Sequence, residues 1–274
     1  MIKRLTPPGG VLTWIAFGLL IVVSGVWLAL TPEGILGKAD AVGYAVCHRI
    51  TVRSFAFPDG RTLPMCARCT GTFLGVLIAL LVPPLLLGRK RAGNLPPIPL
   101  ILVLLGFSAW WAFDGSNSFM HLLPTDLPLP RLFEPNNFLR VTTGTLHGIT
   151  MGTLMLPIFI GTIWKDASCD RVIDCWWHLA VMVGIGIVVI AVVYAELPLF
   201  LYPLAVFSAA GTLTILALIA TVLVITVLGR ENDALTIGDA LPLIVLGLAL
   251  TIILIGGIDA LRFAMFGSWE GLVL

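Results

Sequence analysis

Charge is scarce in this sequence. Only 11 % of its 274 residues are Asp, Glu, Lys or Arg, against about 25 % in soluble domains. That scarcity excludes an ordinary water-soluble domain. The charges that exist nearly cancel, 16 basic against 15 acidic, so no net positive field invites nucleic acid. The sequence has no phosphate-cradling Gly-rich loop, no His-Glu-x-x-His helix and no serine nucleophile elbow. The commonest nucleotide, metalloprotease and serine-hydrolase chemistries therefore lack their residues. Cysteine is sparse too, and five is an odd count, so not all can pair within one chain.

What fills the chain instead is apolar sequence, 58 % of all residues. This composition predicts an all-α fold, a polytopic transmembrane helix bundle forming one integral membrane domain over 1–274 with the lipid bilayer as its partner. Seven runs of about the length a bilayer crossing needs lie at 11–30, 66–87, 97–113, 139–163, 178–195, 199–228 and 240–263. The first follows Pro7-Pro8-Gly9-Gly10 and is not followed by a small-x-small cleavage pattern, so it reads as a retained helix. The run at 199–228 exceeds one crossing and predicts a tilt or a break. Between the runs, 31–65 and 114–138 read as polar loops, the first with a turn at Pro58-Asp59-Gly60. Trp110-Trp111 and Trp176-Trp177 suit the membrane interface.

Basic residues split evenly across the membrane. With the N-terminus inside, Lys3, Arg4, Arg89, Lys90, Arg91, Lys165, Arg171 and Arg230 face the cytoplasm. Lys38, Arg49, Arg53, Arg61, Arg68, Arg131, Arg140 and Arg262 lie opposite. The bare run Arg89-Lys90-Arg91 in a short loop tips the expectation to an inside N-terminus and an extracytoplasmic motif loop, in the cytoplasmic membrane of a prokaryote.

The residues that can carry chemistry gather at one end. Cys66-Ala67-Arg68-Cys69 opens the second run, and Cys47-His48 lies a loop upstream. A Cys-x-x-Cys lets two sulfurs converge on a tetrahedral ion, and a remote Cys with a His completes four ligands, a set that favours zinc. Because Cys47 and His48 are adjacent, their side chains diverge, and His121 or His147 are alternative fourth ligands. The same thiols, with Arg53 and Arg68 near a helix start, also suit redox exchange, or a plain disulfide stapling the loop. Asp114, Arg140 and His147 form a second polar set on the spans, where charge is expensive and should face an interior. An Asp114–Arg140 pair joining two helix ends is the plainer account of it. Asp259 and Arg262 read as a local ion pair, and Cys169 with Cys175 as a second pair on the opposite side of the membrane.

One internal echo stands out. Thr70-Gly71-Thr72-x-x-Gly75 recurs as Thr143-Gly144-Thr145-x-x-Gly148, an offset of 73 residues. It reads either as a duplicated hairpin or as chance likeness of two apolar segments. Gly-x-x-x-Gly spacing in both predicts that the second and fourth spans pack closely.

Taken together, Cys47-His48, Arg53-Ser54-Phe55, Cys66-Ala67-Arg68-Cys69-x-Gly71, Asp114-Gly115 and Asn137-x-x-Arg140-x-x-Thr143-Gly144 resemble a family of prokaryotic multi-pass membrane proteins known only as a domain of unknown function. The likeness covers about 44–148 and leaves the helices at 178–263 outside it. Where the family often has an amide after its Asp-Gly pair, this chain reads Ser116-Asn117-Ser118. The resemblance implies a membrane fold and matched residues, and no activity. Three functional classes follow from the residues: a membrane protein with a Cys/His zinc centre, a thiol oxidoreductase passing electrons to a quinone, and an accessory subunit of a larger membrane assembly. Scarce ionisable groups in the last three helices argue against an ion pump.

Overall fold

The computed structural model describes residues 9–124 and 130–270; Lys3, Arg4, Pro7 and Pro8, used above, lie outside them. In chain order the elements are α1 (Gly9–Leu30), α2 (Gly34–Val46), α3 (Ala67–Leu86), β1 (Ala92–Asn94), α4 (Ile98–Met120), α5 (Asn137–Ile163), β2 (Ser168–Arg171), α6 (Trp176–Tyr194), α7 (Pro198–Leu228) and α8 (Ile237–Phe266). All but α2 of these eight helices are long and apolar enough to cross a bilayer. The chain is a helical membrane bundle. α7 is continuous over 31 residues, so its length is not relieved by a break.

Local chemistry sets the helix ends. Asn136 caps α5 by accepting the Leu139 amide at 2.8 Å, and Thr236 with Asp239 makes a capping box on α8. Gly229 closes α7 at φ 61°, a left-handed position that suits glycine. Inside the spans, hydroxyls fold back on their own helix: Thr72 donates to the Arg68 carbonyl at 2.9 Å and Thr145 to the Val141 carbonyl at 2.8 Å. With no water in the bilayer core, this internal satisfaction makes threonine tolerable there.

α3 and α5 form the centre. Of the residues in their most apolar stretches 61 % and 50 % are buried, against 11 % for α1, so α1 faces mostly lipid. The two helices run parallel and touch backbone to backbone. A Cβ built on Gly71 would sit 2.4 Å from the Val141 carbonyl oxygen, and one on Gly75 2.2 Å from that of Thr145. Reciprocally, Gly144 meets the Arg68 carbonyl at 2.2 Å and Gly148 that of Thr72 at 1.9 Å. Shifting either set of contacts by 73 residues gives the other, so the sequence echo corresponds to a two-fold-like pairing. All four glycines lie at the helix contact, as their spacing predicts.

Two elements differ from the sequence expectation. The loop 31–65 contains α2, whose Gly37, Ala39, Ala41, Val42, Gly43 and Tyr44 are buried. Lys38 and Asp40 disguise it as loop, yet both are engaged. The Lys38 ammonium donates to the Leu28 carbonyl and, at 3.0 Å, to the Thr31 carbonyl, capping the end of α1. Asp40 binds Arg49 at 2.8 Å and Arg61 at 2.5 Å. The second difference is that α4 does not stop at Phe113. It continues through Asp114 to Met120, because Asp114, Asn117 and Ser118 fall on one face and are buried in the bundle. Asn117 ties down the returning chain, donating to the Phe133 carbonyl at 2.8 Å and accepting the Leu132 amide at 2.9 Å.

At the far end, β1 and β2 form a short parallel pair. There Arg89 pairs with Asp174, and Arg91 with Asp166 while lying over the Trp164 ring. Arg89 and Arg91 of the basic run are therefore engaged with acidic partners.

The glycine contact predicts that Gly148→Ala lowers stability by about 1–3 kcal/mol through overpacking. Gly25→Ala, where nothing lies within 4 Å, should leave it unchanged. Thermal unfolding of the detergent-solubilised variants measures both.

Candidate functional site

The parallel start of α3 and α5 fixes the site. Cys66 is the N-cap of α3 and Cys69 lies in its first turn, while Cys47 is the residue that ends α2. Two backbone donors converge on the Cys47 sulfur, the Cys66 amide at 3.3 Å and the Arg49 amide at 3.4 Å. The hydrogen bond from the Cys66 thiol, then that from Cys69, holds the Cys47 pKa well below the ordinary thiol value despite a burial that pushes it up. Sulfur or nitrogen atoms of Cys47, His48 and Cys66 lie within 4.8 Å of one another. Cys47 and Cys66 are 5 % and 2 % exposed and Cys69 half-buried. All five cysteines are free thiols.

The turn after Cys47 is strained. Arg49 sits at φ 53°, a left-handed conformation unusual for a residue with a side chain, and it aims its amide at the Cys47 sulfur. Asp40 and the Trp269 carbonyl, at 2.8 and 3.0 Å, hold its guanidinium. Arg262 secures the same turn from α8. Instead of pairing with Asp259, it donates to the Tyr44 carbonyl and, at 2.8 Å, to the Cys47 carbonyl, and lies over the Tyr44 ring. These are the orphan carbonyls at the end of α2, where a cation is favoured. Asp259 accepts the Trp27 indole N–H at 3.0 Å.

Beside the sulfurs lies an arginine cluster. Asp114, fully buried, is bound by Arg68 Nε at 3.1 Å and Nη2 at 2.5 Å, and by the Thr143 hydroxyl at 3.2 Å. The expected Asp114–Arg140 pair is not formed. α3 and α5 start side by side, which brings Arg68 to α4 first, and Arg140 turns to Asn137 Oδ1 at 2.8 Å. Arg53, buried, donates to the Ser118 carbonyl at 2.7 Å, and Arg68 also reaches the Ser118 hydroxyl at 3.1 Å. Burial, then the charge of Arg68, pulls the Arg53 pKa below its ordinary value.

The histidines divide. The His48 Nδ1 accepts the Ile50 amide at 3.0 Å. His147 is occupied on α4, stacked on Trp111 with ring centres 4.2 Å apart and bonded to Ser108 Oγ at 3.0 Å. His121 ends α4 with its Nε2 buried and without a hydrogen-bond partner. The group of mutually close ligand atoms is Cys47, His48 and Cys66; Cys69, His121 and His147 do not belong to it. Sequence reasoning missed a second group at the far end, exposed Asp174 and Cys175 with half-buried His178. The spacing Cys175-x-x-His178 was the available signal. Cys169 is exposed in β2.

Residues 47–154 match the family described as predicted membrane protein, DUF2085. An uncharacterized protein of Methanocaldococcus jannaschii is 33 % identical over 129 residues, which is 46 % of this chain and 70 % of that protein. Another, from Methanothermobacter thermautotrophicus, is 33 % identical over 113 residues, 40 % of this chain and 83 % of that protein. No solved structure matches the chain.

Since Asp114 is the carboxylate on Arg68, Asp114→Ala should strand a buried guanidinium and destabilise the fold by about 3–5 kcal/mol. Replacing both members, Asp114→Leu with Arg68→Met, should recover most of that loss, as unfolding of the three variants in detergent would show.

Proposed function

The chain belongs to the DUF2085 family of predicted membrane proteins, and we propose that it is a membrane protein built round a zinc centre at the bilayer interface, held by Cys47, Cys66 and Cys69. The supporting observation is that the ligand atoms of Cys47, His48 and Cys66 lie within 4.8 Å of one another, with two backbone amides on the Cys47 sulfur. Amide-to-sulfur hydrogen bonds stabilise thiolates, the form that binds metal.

The fourth ligand in this reading is His48, which already lies with Cys47 and Cys66, so Cys69 must close on that group and the His48 ring must adjust. Ligation through Nδ1 uses the lone pair that now accepts the Ile50 amide. Ligation through Nε2 puts the neutral ring's proton on Nδ1. Either way the Ile50 contact opens. The near-complete burial of Cys47 and Cys66 favours a closed structural centre that clamps α2 and its loop onto α3. It disfavours thiol exchange with a quinone-linked partner, which needs an exposed attacking sulfur. A clamp of this kind is equally suited to a subunit of a larger assembly.

Elemental analysis of purified protein should find about one zinc per chain, with Cys47→Ser losing the metal and loosening the loop to protease while the spans stay folded. Absence of metal in wild type, with a disulfide among Cys47, Cys66 and Cys69 in non-reducing peptide maps, would overturn the reading in favour of redox-active thiols. A membrane-impermeant thiol reagent on intact cells tests the orientation. With an extracytoplasmic motif loop, Cys169 and Cys175 should stay unlabelled until the cells are opened.

A further inference from the structure

The arginine cluster carries more positive charge than the bundle neutralises. Arg53 and Arg140 are 7 % and 6 % exposed, and the Arg68 side chain 13 %. All three are near one another: Arg53 and Arg68 meet on Ser118, and Arg68 reaches, through Asp114, the Thr143 hydroxyl one turn along α5 from Arg140. Asp114 is the one carboxylate paired with them among the described residues. A further sign shows incomplete pairing. The buried Arg140 Nε, a donor, has no hydrogen-bond partner, although buried charges are ordinarily satisfied. The parallel α3 and α5 also point their N-termini, the positive ends of their dipoles, at this place.

We propose that Arg53, Arg68 and Arg140 bind a phosphate-type oxyanion, either free phosphate or the phosphate of a lipid headgroup. Three guanidiniums against one carboxylate leave positive charge in excess, which suits the roughly −1.5 to −2 of free phosphate or a phosphate monoester at neutral pH and, less fully, the single charge of a phosphodiester headgroup. Guanidinium forks suit anions with several oxygens better than a spherical ion. Arg140 is the residue with donor capacity to spare, since Asn137 is the side chain it binds and its Nε is free of one. The position is also right for a headgroup. Arg68 lies in the first turn of α3 and Arg140 in the first turns of α5, at the level where a span leaves the hydrocarbon. The anion is held by guanidiniums and the metal by sulfurs, so the two sites draw on different side chains.

The test uses the full chain purified in phosphate-free buffer and a phosphate-free detergent. Inorganic phosphate is titrated while thermal unfolding and heat of binding are recorded. In parallel, the protein is placed in nanodiscs of phosphatidylglycerol, phosphatidic acid or phosphatidylcholine, and retained lipid is read by native mass spectrometry. Stabilisation by inorganic phosphate identifies the free ion, and selective retention of phosphatidic acid or phosphatidylglycerol identifies the headgroup. In either case Arg140→Gln should weaken binding by roughly tenfold or more, and Arg140→Lys should restore part of it. Arg230→Gln, at the far end beside Asp233, is the matched control. No response to phosphate or to either anionic lipid overturns the proposal, as does a response that Arg140→Gln and Arg140→Lys both keep at the wild-type level.

Discussion

The approach of α3 to α5 is the constraint on which the rest of the structure depends. Gly71 and Gly75 on one helix, Gly144 and Gly148 on the other, let carbonyl oxygens lie where side chains would otherwise stand. In a bilayer, where lipid tails are as apolar as leucine, such close backbone contact is what holds helices together. Because the two helices run parallel, their starts coincide. Cys66, Cys69 and Arg68 from one, and Arg140 and Thr143 from the other, are gathered at one end without any long loop having to place them.

That end is then closed from three directions. α2 brings Cys47, and its terminal carbonyls are held by Arg262 of α8. α4 brings Asp114 and Ser118. The segment after α8 supplies the Trp269 carbonyl to Arg49. Helices outside the family-matched segment therefore brace the site inside it. The sulfurs and the arginines are neighbours for an electrostatic reason as well: thiolate character at Cys47 is easier to sustain beside guanidiniums and helix N-termini than in bare hydrocarbon.

Much of this was legible in the sequence. The seven spans follow from long apolar runs, the α3–α5 contact from the repeated Thr-Gly-Thr-x-x-Gly, and the nearness of Cys47 and His48 to Cys66 from motif position. The misreadings share one cause, that charge and polarity near a span were taken as signs of water. Asp114 looked like a helix end and is a buried partner of Arg68 on a helix that continues. Lys38 and Asp40 looked like loop and lie on a helix whose buried face is made of Gly, Ala and Val. Arg89 and Arg91 looked unengaged and have acidic partners 75 or more residues away in sequence. Pairing over such distances leaves no local pattern, and so neither Arg262 nor Asp114 could be assigned its partner from periodicity.

The zinc centre is the claim on which the proposed function stands, and X-ray absorption at the zinc edge of the purified wild-type protein tests it most directly. The account predicts sulfur scatterers at about 2.3 Å, three of them, with one nitrogen at about 2.0–2.1 Å. A spectrum fitted by oxygen and nitrogen alone would contradict it, because the metal would then lie away from Cys47, Cys66 and Cys69.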